Sequence, residues 1–195
     1  TINIIAFEPN AHVYRRLLRL FKYEVNVKCE GQALGNSIGN TKFMVPFLNG
    51  KSMGSRGAIT LTARKDILVH GAKKFNEFNV KVNKLDDYLK QNDILKNKVS
   101  LIKIDVEGHE FNVLKGAKET LSLSDIILII EIESKFTVYK TDELYMFLSE
   151  LGFKCYVFHN EILHLLKFDE FMHVSQSGLY KKSFNNNFIF KKSIR

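Results

Sequence analysis

The sequence predicts an α/β protein: one sheet of buried strands with helices on both faces. Three observations carry this. Apolar strand-like runs alternate with amphipathic helix-like runs at both ends of the chain. The strands are near-continuously apolar, as in the run from Ile126 to Ile132, which is the pattern of strands covered on both sides. Finally, 195 residues with 45% hydrophobic content are enough for one sizeable core, and predict a single domain over 1–195.

Taken in order, Ile2 to Phe7 is a strand, and Pro9 and Asn10 punctuate it before a helix. In that helix Val13, Leu17, Leu20 and Phe21 recur at three- and four-residue spacing, with Arg15, Arg16, Arg19 and Lys22 mostly opposite. Val25 to Cys29 is a second strand, closed by the turn-rich EGQALGNSIGN. The middle third reads as an insertion of short strands with period-two alternation: Phe43, Val45 and Phe47, then Ile59 and Leu61, then Phe78, Val80 and Val82. Between the first two, the glycines and serines of LNGKSMGSRGA predict a flexible loop. Asn83 or Asp86 is placed to cap the short helix LDDYLKQ.

From Val99 the strand-helix alternation returns. Val99 to Ile104 is a strand; Phe111, Leu114, Ala117 and Leu121 form the stripe of one helix; Ile126 to Ile132 is the next strand. Thr141 opens a helix with Leu144, Phe147, Leu148 and Leu151 on its apolar face and Gly152 as its stop. The runs 153–158, 162–168 and 188–190 supply the last strands, with FNNNF as a turn before the final one.

Composition narrows the function classes. No apolar run reaches the eighteen or so residues of a membrane-spanning helix. Cys29 and Cys155 lie far apart without metal-ligand spacing, so they read as reduced and buried, fitting a cytoplasmic protein. The net charge of +8 suits an anionic partner. However, the basic stretches KKFNEFNVKVNK and LYKKSFNNNFIFKK fit strands with one wet face better than a nucleic-acid groove.

Ligands of open α/β sheets bind outside the carboxyl ends of the strands, and Glu8, Asp105 and Glu131 fall at such ends. Glu8 is positioned either to take the two hydroxyls of a ribose or simply to complement the positive end of the following helix. In DVEGHE, Gly108 is expected to turn the chain, stopping the strand near Asp105 and gathering carboxylates, an imidazole and backbone amides at one mouth. His109, kept neutral beside a helix N-terminus, is a reasonable general base; the competing reading is capping and a surface histidine. A metal site is a third reading, but the DxExHE pattern has no recognised ligand spacing, and no metal is assigned.

Taken in order, AFEPN (6–10), QALGN (32–36), KLDDYL (84–89), IKIDVEGHEFNVLKGA (102–117), LIIEIE (128–133) and NNFIF (186–190) resemble the FkbM family of S-adenosylmethionine-dependent methyltransferases nearly end to end. The resemblance implies a class I, Rossmann-like methyltransferase fold. It also implies transfer of a methyl group from S-adenosylmethionine to a hydroxyl of a small molecule or glycan, of the sugar or secondary-metabolite type. By the same resemblance Glu8 would hold the ribose, Gln32, Ala33 and Leu34 would lie beside the adenine, and Asp105 would sit at the reaction mouth. Glu107 and Glu110 match the family's motif with roles open to a structural reading, while His109 stands where the family varies. The Ser52 to Gly57 loop would close over the acceptor.

The family's glycine-rich loop, and the strand preceding it, come before AFEP and have no counterpart in these residues. The expectation is therefore an N-terminally truncated methyltransferase sheet, a fragment of a longer enzyme. Two rivals remain: a catalytically inactive, basic α/β module that binds an anionic partner such as nucleic acid, and a metal-dependent hydrolase built on DxExHE.

Overall fold

The computed structural model describes residues 2–48, 51–52, 57–59, 74–123, 125–133, 137, 139–177 and 186–192. Within them the chain is a mixed α/β structure with three sheets. The first strand, β1 (Ile4–Phe7), is followed by α1 (Ala11–Leu20) and by β2 (Val27–Glu30), which lies parallel to β1. Asn10 starts α1 in the ordinary way, its side chain accepting the His12 N–H at 3.0 Å. None of the residues of α1 is fully buried, and Leu18, Leu20 and Phe21 are exposed.

The middle third differs from the expected short strands. A two-residue β3 (Ala33–Leu34), β4 (Gly39–Leu48), β5 (Lys51–Ser52) and β6 (Lys74–Asn83) form a sheet in the order β3-β6-β4-β5. β4 and β6 are ten-residue strands, paired antiparallel from Gly39–Val82 to Phe47–Lys74. Phe43, Val45 and Val80 make a small core of their own between them, with Ile59 and Phe78 packed against it. Leu61 and residues 53–56 of the glycine-serine loop lie outside the described residues.

The main sheet has the order β10-β9-β11-β8-β7, formed by β7 (Leu101–Ile104), β8 (Ile127–Glu131), β9 (Phe153–His159), β10 (Ile162–Leu166) and β11 (Asn187–Lys192). β7 and β8 are parallel, and β11 runs antiparallel between β8 and β9. Leu128, Ile130, Phe188 and Phe190 are buried at the heart of the sheet, as the continuous apolar runs require. The helices belonging to this half are α2 (Leu85–Gln91), α3 (Glu110–Lys115), α4 (Lys118–Leu123), α5 (Thr141–Glu150) and α6 (Phe168–Ser177). The single helix expected over 111–121 is two short ones, divided at Gly116. The strand expected to run to Phe168 ends at Leu166, and Phe168 instead opens α6; Phe171 on it is fully buried against Phe188 and Phe190. Gly152 does stop α5, with a positive φ of 85° that only glycine adopts without strain.

Asp86 does not cap its own helix, whose N-cap is Lys84 without a side-chain bond. Its buried carboxylate caps α4 instead, accepting Glu119 N–H at 2.9 Å, Thr120 N–H at 2.8 Å and the Thr120 hydroxyl. Asn83 accepts the Lys84 N–H at 2.9 Å and donates to Gln91. Because removal of the Asp86 carboxylate leaves amides of a helix end without partners, Asp86→Ala is expected to destabilise the fold by about 2–3 kcal/mol, the range for bonds to a buried charge. Urea unfolding would read this as a lower midpoint at unchanged slope.

Candidate active site

The site begins with β-strand pairing. In the parallel β7–β8 ladder Ile104 is partnered with Ile130, so the next residues out, Asp105 and Glu131, emerge side by side at the carboxyl ends of adjacent strands. The strand stops there because Glu107 and Gly108 both take left-handed conformations, with φ of 55° and 97°. Glycine adopts this freely and glutamate only at a cost, so the turn must be held. Glu110 holds it: its buried carboxylate accepts the Gly108 N–H at 2.8 Å and the Tyr139 hydroxyl at 2.9 Å. Burial raises the Glu110 carboxyl above its ordinary value, and the Tyr139 hydroxyl is raised too, by burial and then by Glu110.

Burial pushes Glu131 up to about 7, with the neighbouring Asp105 carboxyl, within hydrogen-bond reach, contributing next. A carboxyl so close to Glu131 disfavours its ionised form. Lys103 stands beside them, its ammonium 3.7 Å from Asp105 and 2.7 Å from the Asn187 side-chain oxygen.

Glu8 lies at the corresponding end of β1. Its backbone N–H donates to Glu30 O at 2.9 Å, extending the β1–β2 ladder, and its carboxylate accepts the Asn10 N–H at 2.7 Å. The helix-side role is thus met by one oxygen. Half-burial raises its carboxyl above the usual range, the Asn10 bond partly offsetting this. Next to it runs the loop of Gln32, Ala33 and Leu34. Ala33 is buried, Leu34 is half-buried against the main core, and the Gln32 amide reaches toward Glu30 at 3.4 Å.

His109 joins the two ends. Its ring lies against Gly35: a Cβ built on that glycine would stand 3.2 Å from Nε2. Nδ1 is 3.1 Å from the Asn112 side-chain nitrogen, which donates to it when Nε2 carries the proton. Burial holds the imidazole below its ordinary pKa. Gly35 is pinned from the other side by Gly116, where a Cβ would fall 1.9 Å from Gly35 O. So Gly35 is packed directly on the segment that follows Asp105.

The structure thus brings Asp105 to Glu131, Glu8 and Gln32 each to Glu30, and Gly35, which follows Leu34, to His109. Sequence reading located Glu131 at a strand end but did not assign it to the site; the signal was available in two parallel strands, LIKID and ILIIE, each closing on a carboxylate. Tyr139 and Tyr88, whose hydroxyl donates to Glu30 at 2.9 Å, left no such signal. Cys29 is half-buried and Cys155 buried, and both are free thiols. Among the described residues no three His, Cys, Asp or Glu side chains gather as metal ligands, and no helix is long and apolar enough to cross a membrane.

Carboxylates at the carboxyl ends of sheet strands, beside a segment packed on the strand-to-helix turn, stand where open α/β sheets take their ligands. The family model of the methyltransferase FkbM domain matches residues 1–155, and the chain belongs to that family. Its fold is accordingly a methyltransferase α/β fold. A crystal structure of methyltransferase FkbM from Methylobacillus flagellatus is 18% identical, with a TM-score of 0.43 over 75% of this chain and 30% of that one. This chain therefore spans about a third of the length of that protein. No curated protein matches.

Two outcomes are expected. Gly116→Ala drives a methyl group into the Gly35 carbonyl; overpacking of this kind costs about 3 kcal/mol, and chemical denaturation should report a loss of that order. The second concerns pH. The folded protein holds the Glu131 proton more tightly than the unfolded chain does, so the pair's contribution to stability is full below pH 4.5 and is lost as pH rises through about 7. Glu131→Gln keeps a donor toward Asp105 at every pH. Glu131 is partly solvated, which damps the effect, so melting scans should show a gain of about 2 °C at pH 8 and little change at pH 5.

Proposed function

We propose that the chain is the core of an S-adenosylmethionine-dependent O-methyltransferase acting on a hydroxyl of a sugar or secondary-metabolite-type acceptor. The observation that carries this is the Asp105–Glu131 carboxyl pair at the ends of β7 and β8, in a chain of the FkbM family. The donor chemistry fits the cofactor. Glu8 offers carboxylate oxygens to a ribose diol, one of them shared with the Asn10 N–H, and the Asp105 and Glu131 carboxylates complement a cationic ligand although the whole chain carries +8. When bound, S-adenosylmethionine supplies an electrophilic methyl carbon.

The remaining work falls to residues of the chain. Glu8 and the loop of Gln32, Ala33 and Leu34 would hold the nucleoside. The Asp105–Glu131 pair would accept the acceptor's hydroxyl proton as its oxygen attacks. Lys103 tunes how easily that happens, because its charge favours the ionised pair. His109, with one ring nitrogen at Asn112 and the other against Gly35, fits a positioning role better than that of a base.

The reading includes a sheet completed by a further strand, with its glycine-rich loop, from a longer chain. Open strand edges support this: among the described residues β1 pairs only with β2, and β7 only with β8, while Ile4 and Leu101 are exposed. A cytoplasmic setting is supported by the two free thiols.

The decisive experiment titrates S-adenosylhomocysteine into the protein encoded by the complete reading frame. Binding is expected, weakened about tenfold by Glu8→Gln, the loss of one ionic acceptor. Failure of that protein to bind sinks the reading. With an acceptor in hand, Asp105→Asn should lower kcat by about 10²–10⁴, the range of general-base catalysis, with a smaller change in KM. An unchanged kcat would remove Asp105 from the chemistry.

A further inference from the structure

Beyond the family-matched residues, the strand β10 closes one side of the main sheet, and among the described residues it pairs only with β9. Edge strands are ordinarily protected by charges, prolines or bulges. β10 has none of these: Ile162, Leu163 and Leu165 are 59%, 41% and 51% exposed, and Phe158 beside them on β9 is 53% exposed. Such an edge is a template for another strand.

The turn before β10 fixes which of its backbone groups face outward. Asn160 and Glu161 have φ of 48° and 64°, the pattern of a two-residue type I′ hairpin, and His159 is partnered with Ile162. The residues flanking such a turn exchange both backbone hydrogen bonds, and the alternation continues along the ladder. Ile162, His164 and Leu166 therefore direct their N–H and C=O groups at β9, while Leu163 and Leu165 direct theirs away from it.

We propose that a second copy of this chain pairs antiparallel with β10, across a two-fold axis at His164. In this register Leu163 faces Leu165 of the partner subunit, and Leu165 faces the partner's Leu163. These are the two positions whose backbone groups point outward, so each facing pair exchanges both of its hydrogen bonds and the two main sheets become continuous. The leucines join Phe158 of each copy on one face, because Leu163 and Phe158 are cross-strand partners. Glu161 then falls opposite Lys167 of the partner subunit, and Lys167 opposite the partner's Glu161. Both residues are exposed and neither forms an ion pair among the described residues. Shifting the register by two residues either way sets Glu161 or Lys167 against a leucine instead. The segment EILHLLK (161–167) is self-complementary in charge about its own centre.

Sedimentation velocity over a concentration series tests this. The chain should sediment as a reversible dimer. Leu165→Pro removes an outward N–H and leaves the β9 ladder intact, so it should give a monomer whose circular dichroism matches the parent. Glu161→Lys and Lys167→Glu should each raise the dissociation constant about tenfold, the effect of exchanging attractive for repulsive pairs, and the double reversal should restore it. A parent that is monomeric at its highest soluble concentration overturns the proposal. So does a dimer indifferent to Leu165→Pro, or one insensitive to the charge reversals.

Discussion

The Glu8 end and the Asp105 end of the site hang on sheets that share no strand pairing among the described residues, and their relative position depends on the helix α2. Leu85, Tyr88 and Leu89 of that helix are buried in the main core. On one side the Tyr88 ring meets Phe7 of β1 edge-on at 4.8 Å, and its hydroxyl donates to Glu30 of β2. On the other, Asp86 caps α4 through its carboxylate and donates its own N–H to Gly116 O at 3.0 Å. Seven residues thus clamp β1 and β2 to the segment that follows β7. A side chain buried to this extent contributes about 1.5–3 kcal/mol, and the polar bonds add direction, which apolar burial lacks.

Buried polar groups show the same economy. Among the described residues every buried side-chain nitrogen and oxygen has a partner. Glu110 serves two elements at once: the left-handed turn through Gly108, and the approach to α5 through Tyr139. A carboxylate so deeply placed would be costly without those donors, and it makes the turn after Asp105 discrete rather than pliable. The left-handed Glu107 belongs to that turn, so its backbone geometry is tied to the buried Glu110.

Much of this was legible in the sequence where local signals and burial agree. The runs closing on Asp105 and Glu131 are strands because isoleucine-rich apolar runs suit buried strands, and Gly108 breaks the first as its φ demands. Gly152 and Asn10 acted as the expected punctuation. What escaped depended on distant partners. Gly116 divides a helical stripe because it must approach Gly35, a contact 81 positions away in sequence that no window contains. Phe168 looks like the end of a strand until Phe171 is seen against Phe188 and Phe190. Asp86 sits where an N-cap belongs, yet a second helix start, near in space, competes for its carboxylate and wins with three donors.

The charge of the molecule follows the same division between local and distant. Summed over the chain, lysine and arginine exceed aspartate and glutamate by 29 to 21, which read alone points to an anionic partner. The strand ends reverse the sign locally, because parallel pairing stacks Asp105 on Glu131 and one lysine, Lys103, stands beside them. The field at these strand ends is governed by the nearest groups, whereas lysines elsewhere on the surface are screened within about 10 Å at moderate salt. The carboxylates at the ends of β7 and β8 therefore make the local field negative on a protein whose net charge is positive, and net charge is a poor guide to the field at those strand ends.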